Sequence, residues 1–272
     1  MIGAAFGLGF IFGPPVGGFI KANHGMDAVG YTAMGLSLLN LLLILLLLPE
    51  SLREKDNANR VQMRPVTNTI QALRNERFRD LFITTFIYIT AFSMMQITVA
   101  LLWEEHYGLN EAHIGYMFAV IGLASAIVQG MLVGWLSRRF GEARLMIYGC
   151  ILLGLGLLFI PFVPQAYFIP LAFIPVLMLA LANGCMMPSI SSLLSRNATN
   201  KEQGQVLGLN QGFGSLARIA GPTLGGWLYG WHFTSPYIGG AVLMVGALLF
   251  VMAYQRAGRN NAPSEDLPAA RP

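Results

Sequence analysis

Arg218 stands inside a long apolar run, about twelve residues from either end. A central arginine costs roughly 2.5–3.5 kcal/mol on membrane-insertion scales, so it must face a cavity or a partner rather than hydrocarbon. Gln211, seven residues earlier, and Ser215, three residues earlier, fall on nearly the same side of a helix and complete a polar stripe. Two readings stand: a cavity-lining cation that meets anionic substrate groups or an acid elsewhere in the bundle, or an arginine that ties down backbone carbonyls freed by Pro222. A second run places Tyr88, Phe92 and Gln96 at four-residue spacing with Ser93 adjacent. Aromatic rings beside an uncharged polar group suit a cavity for amphipathic compounds, which bind through apolar area and a few polar contacts; helix packing explains the same stripe. A third run has Asn183, then Pro188 followed by Ser189, Ser191 and Ser192, where hydroxyls can satisfy the carbonyls that a proline frees. That run reads equally as a gate or as plain kink repair.

Other chemistries find little support. No Asp or Glu lies inside an apolar run, the nearest being Glu104 and Glu105 at the edge of one. The four histidines, His24, His106, His113 and His232, fall between runs or at their ends without zinc spacing, so no metal is expected. There is no phosphate-binding loop of the nucleotide-driven pumps and no serine or cysteine in a nucleophile motif, so the chain reads as a non-enzyme needing no cofactor. Cys150 and Cys185 sit deep in apolar runs and read as inert buried thiols.

The elements that position these residues follow from composition: 55% of the 272 residues are hydrophobic and 11% charged, against about 25% charged in soluble domains. Eight apolar runs have the length of about 20 residues that a helix needs to cross a bilayer: Ile2–Ile20, Val29–Leu48, Leu81–Leu102, Ile114–Leu136, Leu145–Phe162, Phe168–Leu194, Val206–Tyr229 and Tyr237–Tyr254. The expected class is therefore an all-α integral membrane protein of eight transmembrane helices. The first run follows Met1 without a basic leader or a small-residue cleavage site and is expected to be retained. Fifteen of the seventeen lysines and arginines fall on one side if the runs alternate direction. By the positive-inside rule that side is cytoplasmic and holds both termini. This placement explains the net charge of +4 without a nucleic-acid partner; the bilayer and a small-molecule substrate are the partners expected. Residues 1–48 form a first helix pair, 49–80 a cytoplasmic linker, 81–254 a six-helix bundle and 255–272 a disordered cytoplasmic tail. Within the linker, Val66–Arg79 suits a surface helix or a solvated one.

A glycine-proline pattern occurs twice. Gly9, Gly13, Pro14, Gly17 and Gly18 return as Ala217, Gly221, Pro222, Gly225 and Gly226, each shifted by 208 residues. Small residues every four positions make a ridge that lets a neighbouring helix approach closely in lipid, and the proline removes an amide donor and bends the helix. The offset covers six runs, so the third to eighth form one whole repeat and the first two are the end of another.

The GxxxGPxxGG string, the Pro49-Glu50 that ends the second run, the long basic linker and six further spans resemble the major facilitator superfamily, and within it the drug:proton antiporters that include tetracycline and multidrug exporters. The resemblance implies helices five to twelve of a twelve-helix fold, with the first four N-terminal helices, needed for transport, missing. It implies an inner-membrane antiporter whose glycine motif sits between halves. Proton coupling is inferred from the resemblance alone, and its usual carboxylate carriers would lie in the missing helices. Gly134-Trp-Leu-Ser-Arg138-Arg139-Phe-Gly141-Glu-Ala-Arg144 is similar to the cytoplasmic loop signature of that family, with Arg138 in place of its usual Asp, and Glu202-Gln-Gly204 is similar to the entry to its eleventh helix. An ion pair between Glu202 and Arg139 is expected across this gating loop. The alternative class is a non-transporting membrane partner or assembly protein for which eight helices are the native complement.

Overall fold

The structure, a computed structural model, describes residues 2–47, 75–128, 132–199 and 202–260. Apolar chain in lipid must pair its backbone polar groups within one segment, and helices do so; among the described residues there is no strand. In chain order the helices are α1 Ile2–Leu47, α2 Glu76–Glu105, α3 Glu111–Ile127, α4 Val133–Phe140, α5 Glu142–Phe159, α6 Phe168–Asn197, α7 Gln203–Trp231 and α8 Ser235–Asn260. Two 3₁₀ turns, Ile160–Phe162 and Gln165–Tyr167, link α5 to α6.

Five stretches are long and apolar enough to cross a membrane: Asn23–Leu47, Glu76–Glu105, Glu142–Phe162, Leu171–Asn197 and Ser235–Arg256. Among the described residues these five are the crossings that length and composition support, against the eight expected. In α3 the apolar part is the shorter His113–Ala124, and α7 carries Gln203, Gln205, Asn210, Gln211 and Arg218, which dilute its apolar character.

Several boundaries depart from expectation. The first two runs fall within α1, which is broken into two helices at Gly25, where φ is 82° and ψ 175°, a conformation that glycine adopts without steric penalty. Of the expected run Ile114–Leu136, α3 covers the first part and α4 the last, with residues 129–131 outside the described residues. Asn75 caps α2 by accepting from the Arg77 amide at 3.1 Å, so α2 starts five residues before the expected Leu81. The proposed surface helix over Val66–Arg79 lies outside the described residues up to position 74, and its last residues form the first turn of α2. At the other end α8 continues to Asn260, past the expected start of the tail; residues 261–272 lie outside the described residues.

The packing centres on α2, which lies against α7 and α8, while α5 lies against α6 and α8, and α3 against α1 and α6. The main apolar core runs through this bundle, with Phe82, Trp103, Leu153, Met186 and Val251 all buried, and a smaller one gathers Val128, Val133, Leu145 and Cys185. Small residues set the closest approaches. A Cβ at Gly221 would stand 2.7 Å from Ser93 Cβ and 2.8 Å from the Thr90 carbonyl oxygen, and one at Gly225 would stand 3.1 Å from Met94 Cα. Backbone therefore meets backbone along Ala217, Gly221 and Gly225 on α7, the close contact through which helices associate in lipid.

The first copy of the motif behaves differently. Around Gly9, Gly13, Gly17 and Gly18, and also Gly226, no neighbouring atom lies within 4 Å of where a Cβ would be. The expected close packing along that ridge is absent among the described residues, because α1 meets chiefly α3 and presents these glycines on a side where no described helix stands. The helical backbone continues through Pro14, Pro188 and Pro222.

Candidate substrate cavity

Three helices bring polar groups together in the middle of the bundle. Tyr88, on α2, is 1% exposed, and its hydroxyl donates to Asn183 Oδ1 on α6. A buried phenol without a partner would forfeit a hydrogen bond's worth of solvation, so Asn183 fixes where that ring points. Arg218 approaches from α7, where its Nη1 lies 3.5 Å from the Cβ position of Gly214, one turn back. Gly214 is thus the notch that lets the guanidinium fold along its own helix. Ile89, next to Tyr88, closes the other side of the same notch at 3.1 Å.

Phe92 follows Tyr88 one turn later, ring centroids 6.4 Å apart and tilted by 34°. Phe92, Gln96 and Asn183 are half-buried, while Gln211, Ser215 and Arg218 are exposed along one edge of α7. Ser215 turns its hydroxyl back onto the Gln211 carbonyl at 2.9 Å, so its proton serves its own helix. The kink-repair role for the serines after Pro188 is not what the structure has: buried Ser189 Oγ finds no hydrogen-bond partner, and Ser192 bonds Glu142 Oε1 at 3.1 Å. The reason is rotational, since Ser189 turns into the bundle and Ser192 toward the start of α5.

At the arginine-rich end the loop residues are arranged otherwise than expected. Arg139 lies over the rings of Trp135 at 5.5 Å and Phe140 at 6.0 Å, and Glu202 accepts from the Thr199 hydroxyl at 2.9 Å and the Thr199 amide at 3.2 Å. The Arg139–Glu202 ion pair is therefore not formed; each group has a partner within its own turn. The pair that does bridge helices is Glu142 with Arg196, at 2.9 Å between α5 and α6. The Thr199 hydroxyl and amide, with a smaller pull from Arg77, hold the exposed Glu202 carboxyl below its ordinary value. Arg138 reaches back to the Gly134 carbonyl at 3.0 Å, and Arg144 is exposed. Gly141 makes the turn between α4 and α5 with φ 78°, a conformation that favours glycine.

Three hydrogen bonds and one ring stack went unremarked in the sequence. Thr85, buried on α2, stands 2.8 Å from Asn210 Oδ1 on α7, and Asn210 shares the buried face with Ala217, Gly221 and Gly225; its seven-residue spacing from Ala217 was the available signal. At the opposite end Phe233 is stacked between the rings of His106 and His232, each 4.5 Å away. Nearby, Tyr229 donates to Glu105 at 2.9 Å and Tyr107 to the Val163 carbonyl at 2.8 Å. Among the described residues no group of three metal-ligating side chains occurs.

The sequence profile of the Major Facilitator Superfamily matches residues 1–222 and also residues 81–271. The class E tetracycline resistance protein of Escherichia coli is 27% identical over 256 residues, which cover 93% of this chain and 61% of that protein. Multidrug resistance protein 2 of Bacillus subtilis (strain 168) is 28% identical, covering 93% of this chain and 63% of its own length. The crystal structure of the human organic anion transporter MFSD10 (TETRAN) superposes with a TM-score of 0.71 at 24% identity, over 92% of this chain and 62% of that one. The chain thus spans a little under two thirds of the length of these relatives.

Proposed function

This chain belongs to the major facilitator superfamily, and on that premise we propose that it acts in secondary active efflux of a small amphipathic drug or metabolite. It is a multi-pass membrane protein, and the proposal places it in the inner membrane with both termini cytoplasmic. Residues 81–254 serve as one complete six-helix bundle and residues 1–48 as the last two helices of the other, joined by the linker 49–80. Substrate binds between the bundles, which rock about a midplane site; proton coupling follows the similarity to tetracycline and multidrug resistance proteins. The observation that carries the reading is the hydrogen bond between Tyr88 and Asn183 across α2 and α6, midway along the span, with the Arg218 guanidinium of α7 beside Gly214 where Ile89 of α2 also packs. Such a cluster within lipid depth is costly and marks a binding or transport path.

Alternating access needs both bundles, so the test adds helices. Accumulation of a fluorescent amphipathic dye is compared in cells carrying an empty vector, this chain, or this chain fused behind the first four helices of the class E tetracycline resistance protein. Lower dye in the fusion alone, restored by a protonophore, is the expected result. Dye at vector level in cells whose membranes contain the fusion would remove the reading.

A further inference from the structure

The end of the bundle that carries α4 combines charge with aromatic surface. Val133 packs with Leu145 and Cys185 in the smaller apolar core, joined by Leu136 and Phe140, which holds α4 against the start of α5. Phe140 then meets Tyr148 edge-on, ring centroids 6.1 Å apart at 88°. Arg139 lies over the rings of Trp135 and Phe140, while Trp135 and Tyr148 stay exposed. An indole, a phenol and a guanidinium thus share one outward face, the mixture that settles where lipid headgroups meet hydrocarbon.

Below this crown α5 continues the same face. Arg144, Tyr148, Ile151, Leu155 and Leu158 follow at alternating steps of four and three residues, which places them on one side of a helix, and all are exposed. Their order is cation, amphipathic ring, then aliphatic chain. From Tyr148 to Leu158 the helix rises roughly 15 Å at 1.5 Å per residue, one leaflet's share of a hydrocarbon core roughly 30 Å thick. The stripe has the polarity order and the length of one phospholipid standing beside it.

The charge of the head group follows from the partners already taken. Glu142, the carboxylate nearest in sequence to Arg139 and Arg144, is bound to Arg196 at 2.9 Å and to Ser192 at 3.1 Å on α6. The ring faces around Arg139 attract a cation without neutralising it, and the fork of N–H donors on an arginine suits a phosphate. Over the whole sequence, the segments that the positive-inside rule makes cytoplasmic hold fifteen Lys and Arg against nine Asp and Glu. A phosphodiester gains charge-assisted hydrogen bonds here, whereas a zwitterionic head group brings its own cation against the arginines.

We propose that this α4–α5 stripe binds one anionic phospholipid, with the phosphodiester at Arg139 and Arg144 and an acyl chain along Ile151, Leu155 and Leu158. The inference is independent of the cavity and of its substrate.

The test is native mass spectrometry of the full chain, released from dodecylmaltoside with dioleoyl phosphatidylglycerol or dioleoyl phosphatidylcholine added. The two lipids share their chains and differ in head-group charge. The phosphatidylglycerol adduct forms at the lower lipid concentration. Arg139→Gln and Arg144→Gln each weaken phosphatidylglycerol binding roughly 5-fold and leave phosphatidylcholine binding unchanged. Arg256→Gln, at an exposed arginine of the same end on α8, changes neither. Glycerol 3-phosphate, which has the phosphate and no chains, does not displace the lipid at matched concentration. Melting temperatures check folding; should Arg139→Gln fail to fold, Arg144→Gln decides, since Arg144 is exposed and makes no hydrogen bond or ion pair among the described residues. Equal binding of the two lipids, a loss in Arg256→Gln as large as in Arg144→Gln, or phosphatidylglycerol affinity unchanged in the stripe variants overturns the proposal. Displacement by glycerol 3-phosphate overturns a lipid as the occupant.

Discussion

Gly13 and Gly221 occupy the same place in two copies of one motif, yet the structure expects opposite responses to the same methyl group. At Gly221 an alanine Cβ would fall 2.7 Å from Ser93 Cβ and 2.8 Å from the Thr90 carbonyl, where carbon atoms pack best at about 3.5–4.0 Å. One of these obstacles is backbone and the other is the first atom of a side chain, so no rotamer change removes the clash. The α2–α7 pair must open by roughly the missing ångström, and overpacking of this kind costs about 1–3 kcal/mol. At Gly13 no described residue of another element lies within 4 Å of the Cβ position, and replacing glycine by alanine inside a helix is favourable by up to about 1 kcal/mol. The chain is therefore expected to lose about 1–3 kcal/mol with Gly221→Ala and to be unchanged or slightly stabilised with Gly13→Ala. Reversible unfolding in mixed dodecylmaltoside–SDS micelles, followed by tryptophan fluorescence, measures both. Gly149→Ala supplies an internal comparison: its clash is with the Met186 side chain at Cγ and Sδ, a flexible group, so its cost should fall below that of Gly221→Ala. Equal losses at Gly13 and Gly221, or a neutral Gly221→Ala, would refute the claim that this ridge sets the helix spacing.

Thr85→Val strips Asn210 Oδ1 of its partner across the α2–α7 contact, and the same unfolding measurement should show a loss of about 1–3 kcal/mol for the orphaned group. The Glu142–Arg196 bridge, with Arg196 largely exposed, should be worth no more than about 1 kcal/mol; Glu142→Arg lowers stability and the double exchange with Arg196→Glu restores it, whereas additive losses would refute the pairing. Phe233→Ala removes the ring between His106 and His232, so amide exchange should quicken in the α7–α8 turn and stay unchanged at Thr199. Glu202 has its folded-state carboxyl pKa depressed, first by the Thr199 hydroxyl and amide. Its contribution is present above the unfolded glutamate value and vanishes as pH falls through the folded one. Exchange at the Thr199 amide should therefore accelerate only in that acid window, and a change already complete at neutral pH would contradict the assignment.

The candidate site was partly legible before any fold was known. Arg218, Tyr88, Gln96 and Asn183 stand out because a polar or charged residue in an apolar run is expensive wherever the run goes. What spacing on one helix cannot tell is which groups from other helices stand opposite. Tyr88 and Asn183 lie 95 residues apart and Thr85 and Asn210 lie 125 apart, and their meeting depends on the rotation of each helix about its own axis. The loop shows the same limit. Arg139 and Glu202 carry complementary charges, but each found a nearer partner, the Trp135 ring in one case and Thr199 in the other.

Helix content, the placement of arginines at run ends, the duplicated motif and the superfamily were all determined by the sequence alone, because apolar length and small-residue spacing are local quantities that survive any arrangement. Tertiary structure decided which glycine ridge is a true helix contact, that Gly25 breaks α1 into two helices, and that Glu142 rather than Glu202 bridges two helices. Those outcomes depend on which surfaces face each other, and in a bundle that is settled by packing all the helices at once, where a shift of one ångström at Gly221 reaches every neighbour of α2.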